Sequence, residues 1–385
     1  MSFKGLRVLV LDGYGKQLGI ILESLHKMGC ITTTVNCSKL DVGYVSRYPA
    51  KKFIVPEAEF DRDVLEKFLD REIPSGNYDV VFPMLELATD IVTEKRDFYS
   101  QYVKIIAAPH DAFVLAYNKQ ETMRICQEIG IPCPRTRMDG ENLEAFLDSV
   151  DYPIAIKPRK GTGSIGFKRI ASKQDMLKLV HDGALDPDEY IIQECVLNFE
   201  YKYLANIFFD EKGEVKSALA TEINRWYPID SGPACYMRSV DRKDVIEYGV
   251  KLLKAMNWRG FGQVCYMLDP KDNTPKILEI NGRVPASIKI DTVCGIDIVR
   301  QMLELACNQP VTEYKTTKFD YRVRQGQKDL LWFIQSPKRF KANPSWFDRR
   351  RTKDVLFSWK DPLPYFAFGL QHLISFKSDM KQRER

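Results

Sequence analysis

The chain has 385 residues, 44% of them hydrophobic and 28% charged, which is enough apolar material for two or three domains with real cores and excludes a disordered tail. Nine cysteines (30, 37, 126, 133, 195, 235, 265, 294 and 307) form no C-x-x-C pair, and the four histidines supply no H-E-x-x-H spacing. A disulfide scaffold and the common zinc signatures are therefore excluded. The net charge of +5 is unevenly spread: residues 316–385 hold 16 Lys/Arg and 7 Asp/Glu (+9), leaving 41 and 45 (−4) for the first 315.

No basic segment followed by an apolar core and a cleavage site precedes the first strand-like run, and no apolar run reaches the ~18–20 residues that span a bilayer. The expected setting is a reduced cytoplasm, at most peripheral at the inner face of the membrane.

The first hundred residues alternate β-branched runs with amphipathic ones: RVLVLD, LGIILESLHKMG, ITTTVN, KKFIVP, DVLEKFLDRE, DVVFPM, ATDIVTEKRDFY and KIIAA. Strands alternating with helices predict a parallel sheet covered by helices, a Rossmann-like domain over 1–110. Its first loop, DGYGKQLG, carries Gly13, Gly15 and Gly19 but misses the G-x-G-x-x-G dinucleotide fingerprint. That loop reads either as a phosphate approach or as a glycine-eased turn.

A helix is predicted from about Asp111 to Gly130, stopped by GIPCPR. The strands YPIAIKPR, FKRIA and EYIIQECV follow, with a helix at QDMLKLVHDG, giving a small lobe over 111–195. A β-rich stretch, a helix near 242–256, a hairpin over 261–281 and a helix IDIVRQMLELAC make a larger lobe over 196–315. Residues 316–385 read as a poorly periodic, basic and aromatic C-terminal extension.

The strongest local signal is the hairpin GFGQVCYML–DPKDNT–PKILEINGR. A turn centred near Asp272 sets Gln263 opposite Asn281 and Cys265 opposite Glu279. Period-2 alternation turns 279, 281 and 283 to one face, with 263 about 5 Å across the ladder. Two amides, a carboxylate and Arg283 on one surface suit Mg²⁺ carried on nucleotide phosphates, with Mn²⁺ as a substitute; otherwise they form an exposed polar hairpin face.

In IAIKPRKGTGSIGF, Lys157 ends a buried strand and a loop of Gly161, Thr162, Gly163, Ser164 and Gly166 follows. Backbone N–H groups freed by glycine, flanked by lysines, suit a polyphosphate or a basic hairpin turn. It is not a Walker A loop, because no G-K-[ST] ending or helix follows. EYIIQECVLNFE ends an apolar strand at Glu194 and Val196, whose backbone can meet an adenine, and Glu200 can hold a ribose or remain a solvated carboxylate. INRWYPIDSGPACYMRSVD offers Arg225, either a bidentate contact for an anionic substrate or a partner for a surface acid.

Lys119 before a helix, Lys157 before a glycine loop, Q-E-C-V with Glu200 beyond, Gln263, and E-I-N-G-R at 279–283 stand in an order that resembles the ATP-grasp superfamily, in its carbamoyl-phosphate-synthase-like and biotin-carboxylase-like branch of carboxylate-amine ligases. The resemblance covers roughly residues 1–310. It implies that Lys119, Lys157 and the 161–166 loop bind the ATP phosphates, Glu194, Val196 and Glu200 the nucleoside, and Gln263, Glu279 and Asn281 the Mg²⁺. Arg283 would lie beside the transferred phosphoryl group and Arg225 beside substrate or phosphate. Many relatives carry Glu where this chain has Gln263, which loosens a second metal.

The implied reaction makes an acyl phosphate from a carboxylate and opens it with an amine, releasing ADP. Carboxyphosphate chemistry and a non-catalytic ATP-binding module are the alternatives. Expected partners are small carboxylate and amine substrates, a second copy of the chain, and no nucleic acid. Residues 316–385 are expected either to dock on an anionic membrane surface or envelope precursor or to pack as a basic cap on the core.

Overall fold

A computed structural model describes residues 2–58, 61–161, 166–197, 202–229, 232–316, 318–371 and 374. The first sheet is wholly parallel: β1 (Arg7–Val10), β2 (Ile31–Asn36), β3 (Lys51–Ile54), β4 (Val80–Phe82) and β5 (Lys104–Ile105), in the order β3-β2-β1-β4-β5. Helices cover both of its faces. The one at Leu18–Lys27 buries Leu18, Ile21, Leu22 and Leu25, the spacing that puts one stripe of a 3.6-residue helix against a sheet. This is the α/β unit that the alternating pattern predicts.

The helix expected over 111–130 is two, His110–Tyr117 and Lys119–Glu128. Asn118 separates them because its backbone is extended and its side chain accepts from the Gln120 N–H, capping the second helix. The break sets Lys119 at a helix start, its own N–H bonded to the carbonyl of Arg159.

A small antiparallel sheet follows, β6 (Ile154–Pro158), β7 (Lys168–Ile170) and β8 (Tyr190–Glu194), in the order β7-β6-β8. The large sheet contains β9 (Lys202–Phe209), β10 (Val215–Trp226), β11 (Ala234–Val240), β12 (Gly260–Leu268), β13 (Pro275–Asn281), β14 (Arg322–Arg324) and β15 (Thr352–Asp354). Its order is β13-β12-β9-β10-β11-β14-β15. Strand β9 is covered on both sides: Leu204 and Phe208 pack towards the first domain, while Tyr203, Ala205, Ile207 and Phe209 join the core under the helix Lys243–Ala255.

Residues 316–385 depart from the expected appended extension. Strand β14 pairs with β11 and β15 with β14, so this segment completes the large sheet. Strands of three residues carry too little alternation to read as strands in a sequence. Among the described residues no helix is long and apolar enough to cross a membrane.

Candidate nucleotide and metal site

Strands β12 and β13 pair in the anticipated register, Gln263 opposite Asn281 and Cys265 opposite Glu279. A bulge between Cys265 and Tyr266 then shifts the ladder. The hairpin forms one wall of a cleft of about 400 Å³, and the small sheet forms the other. Lys119, Lys157, Gly161, Glu194, Val196, Gln263, Glu279, Asn281 and Arg283 all line it.

Lys157 leaves the end of β6 and donates to the carbonyl of Leu278 at 3.1 Å. Burial pushes its pKa down to about 8, against the opposing pull of Glu279. Lys119 donates to the carbonyl of Gly161 at 2.7 Å, and burial lowers it as well. The two ammonium groups are thus held at Gly161 and at the hairpin by neutral carbonyls, which a phosphate oxygen outbids because its bonds are charge-assisted on both sides.

The backbone of Gly161 has φ +134° and that of Gly166 +73°, a region open mainly to glycine. Gly166 is not among the residues that line the cleft, and a Cβ there would meet the Pro158 ring at 2.9 Å. Thr162, Gly163 and Ser164 lie outside the described residues, as does Glu200.

The ladder of β8 ends at Glu194, and Cys195 and Val196 continue along the cleft without belonging to a strand. The Glu194 N–H already donates to the carbonyl of Arg135, and its carboxylate takes Lys276 at 3.3 Å. The Glu194 N–H is therefore already committed, and the backbone edge that continues along the cleft is that of Cys195 and Val196.

The three residues expected to hold a metal divide into two layers. Gln263 is 3% exposed; its Oε1 accepts from Asn281 Nδ2 at 3.0 Å and its Nε2 donates to Asn206 Oδ1 at 2.7 Å. Asn206 in turn donates to Asp291. The Glu279 carboxylate has no ion pair among the described residues, and the Asn281 amide nitrogen is spent on Gln263 and Cys265, turning its oxygen outward. One free carboxylate and one amide oxygen fit Mg²⁺ that brings phosphate and water ligands of its own. Gln263 orients Asn281. Among the described residues no three His, Cys, Asp or Glu converge on a metal-binding geometry.

Arg283 reaches the cleft from the loop after β13, its Nε bonded to Glu86 Oε1 at 2.7 Å. A second cavity, about 470 Å³, lies on the other side of Gly282–Val284. It holds Arg283 alone of the candidate residues.

Arg225 has an acidic partner, but a buried one rather than a surface acid. It is 2% exposed, with Nε at 2.6 Å from Asp329 Oδ1, Nη1 donating to the carbonyl of Pro344, and the guanidinium 3.6 Å from the centre of the Tyr236 ring. It is absent from the cleft lining and clamps the helix Gly326–Gln335 onto β10 and β11. The expected substrate contact is therefore corrected to an internal one.

Residues 118–314, just over half of the chain, match the family model described as carbamoyl-phosphate synthase L chain, ATP binding domain. The chain belongs to that family. Among its relatives, a D-alanine–D-alanine ligase of Wolbachia sp. subsp. Brugia malayi (strain TRS) is 25% identical over 202 residues, 44% of this chain and 57% of that protein. A pyruvate carboxylase subunit of Methanothermobacter thermautotrophicus is 23% identical over 310 residues, 73% of this chain and 61% of that one. The chain thus spans about six-tenths of both relatives. A biotin carboxylase–β-γ-ATP complex from Campylobacter jejuni has the same fold, with a TM-score of 0.66 and 16% identity over 82% of this chain and 74% of that one.

Within this ATP-grasp family member, sequence reasoning missed four cleft or supporting residues: Lys16, Arg169, Lys202 and Glu86. Lys16 stands in plain view in DGYGKQLG, where the glycines draw attention and the lysine does not. Lys202 opens β9, where burial lowers its pKa, and its ammonium sits 4.7 Å from the Trp226 ring centre. No local pattern marks Glu86 as the partner of an arginine 197 residues away.

Proposed function

We propose that the protein is an ATP- and Mg²⁺-dependent ligase that phosphorylates a substrate carboxylate and passes the acyl group to an amine. One observation carries the reading: Lys119, Lys157, Glu279, Asn281 and Arg283 share a single cleft. Lys119 and Lys157 would bind the β- and γ-phosphates, and Cys195 and Val196 the adenine edge. Glu279 and Asn281 would hold Mg²⁺, which when bound neutralises charge on the phosphates. A carboxylate oxygen attacks the γ-phosphorus and ADP leaves; the amine nitrogen then attacks the acyl carbon, phosphate leaves, and the amine proton passes to solvent. Arg283 stabilises charge on the transferred group. Such a reaction needs positioned cations more than a protein nucleophile.

Mass spectrometry after incubation with Mg-ATP and pooled carboxylates, amines and bicarbonate tests this. ADP with a new amide is the expected result, and AMP would overturn the acyl-phosphate route. ADP formed with bicarbonate alone would move the reading to carboxyphosphate chemistry, which the likeness to a pyruvate carboxylase component supports. Bound but intact ATP in every arm would leave a binding module.

For residues 316–385, exposed Phe340, Phe347 and Trp359 beside Arg339, Lys341 and Arg349 support a contact with an anionic membrane surface or envelope precursor. Flotation with anionic vesicles reads this, and equal recovery in neutral vesicles would remove it. Pairing of two copies through the first domain is the matching assembly proposal, read by light scattering.

A further inference from the structure

Beyond Arg283 the cleft continues into a corner that none of these roles uses. Two of its lining residues come from outside the matched family domain, Lys16 from the glycine loop after β1 and Val355 from the chain just after β15, and Ser287 comes from within it. Lys16, Ser287 and Val355 line it. The Lys16 ammonium donates to Gln325 Oε1 at 3.0 Å, and among the described residues no carboxylate stands within ion-pairing distance of it.

Gln325 is 3% exposed, and its Nε2 has no hydrogen-bond partner. Gln325 stands behind the cleft lining rather than in it, and is joined to the cleft through Lys16, whose ammonium its Oε1 accepts. A buried donor left without a partner is costly, and a cation among other cations more so. Burial, the largest effect, brings Lys16 down to about 7; Lys328 and Arg283 add positive field, and Cys235 and Asp354 oppose it. An oxyanion would satisfy both groups at once.

We propose that Lys16 and Gln325 form an anion subsite for a carboxylate or phosphate group of the acceptor substrate, built jointly by the first domain and the C-terminal segment. The word acceptor rests on the ligase reading; the anion itself does not. Residues 316–385 thereby become a wall of the substrate site as well as an edge of the sheet.

The test labels the full-length protein with pyridoxal 5′-phosphate, a phosphate-bearing aldehyde, followed by borohydride reduction and peptide mapping. Labelling is run with and without MgADP, which shields Lys119 and Lys157. Lys16 should react about 10-fold or more faster than exposed Lys254 near neutral pH. Inorganic phosphate or acetate should slow that reaction several-fold, and whichever competes better names the anion. Gln325→Leu should lose most of this protection. Reaction of Lys16 no faster than Lys254, or protection by neither anion, overturns the subsite. Calorimetry with MgADP is read separately: its failure would sink the ligase reading while the MgADP-free arm still decides the subsite.

Discussion

The nucleotide cleft and the junction beneath the helix Gly326–Gln335 bury the same kind of charge and treat it in opposite ways. At the junction Arg225 meets both oxygens of Asp329, a carbonyl and two aromatic rings. Arg322 is held between Asp320 and Asp348; burial pulls its pKa down, but hydrogen bonds to both carboxylates leave it raised overall. In the cleft Lys119 and Lys157 have one backbone carbonyl each and are lowered by burial. A fully partnered buried cation is architecture, because removing its partner strands the charge. A cation left with only a carbonyl keeps its capacity for an incoming oxyanion. The difference teaches how to tell a structural arginine from a ligand-binding lysine where the sequence shows only a basic residue in a strand.

The sharpest way to break that contrast is Asp329→Ala, which should cost about 3–5 kcal/mol in urea unfolding by leaving Arg225 unpaired. The apolar pair Arg225→Met with Asp329→Leu should recover much of that loss. A cost under about 1 kcal/mol for the single change would return Arg225 to the substrate-binding candidates. Glu279→Ala, on the other side of the comparison, should lower Mg²⁺-dependent turnover by about 10²–10³-fold with the unfolding midpoint retained. Normal turnover would remove the metal assignment.

Lys157→Ala should weaken ATP binding by roughly 10–100-fold in calorimetry, the worth of one or two charge-assisted bonds. Its unfolding midpoint should stay or rise, since an unpaired buried cation is gone. Unchanged affinity would move the phosphate site elsewhere, and a marked loss of stability would show that Lys157 is architectural after all.

The legible half of the site was its hairpin. DPKDNT fixes the turn and period-2 alternation fixes the faces, so the pairing of Gln263 with Asn281 follows from local rules alone. The parallel first sheet was legible for a similar reason, each strand being set off by an amphipathic helix. What escaped was set by long-range pairing. Arg225 finds Asp329 104 residues later, and Lys16 finds Gln325 309 residues later. The basic excess of residues 316–385 resembled a docking tail, yet Arg322 and Arg324 spend their charge inside, on Asp320, Asp348 and Asp329. Even the helix break at Asn118 needed tertiary context, because asparagine is a cap only once the preceding helix has ended.

Behind the cleft, the smallest expected effect concerns Asp291, which sharpens the comparison from the acidic side. It is buried, accepts from Asn206 at 2.7 Å through Oδ2, and leaves Oδ1 without a partner. No cation pairs with it among the described residues, and burial pushes its pKa up to about 7. The unfolded chain releases this proton near pH 4, while the folded protein keeps it up to about 7. Between those values the folded state binds more protons, so the group's contribution is fully present at the acid end and is lost as pH rises towards 7. Asp291→Asn keeps an oxygen for Asn206 and has no proton to lose. Its stability relative to wild type should therefore improve by about 2 kcal/mol between pH 5 and pH 8, read from urea midpoints at the two values. A difference that does not change with pH would mean that Asp291 is ionised in the fold, and that the amide chain behind Gln263 carries a charge.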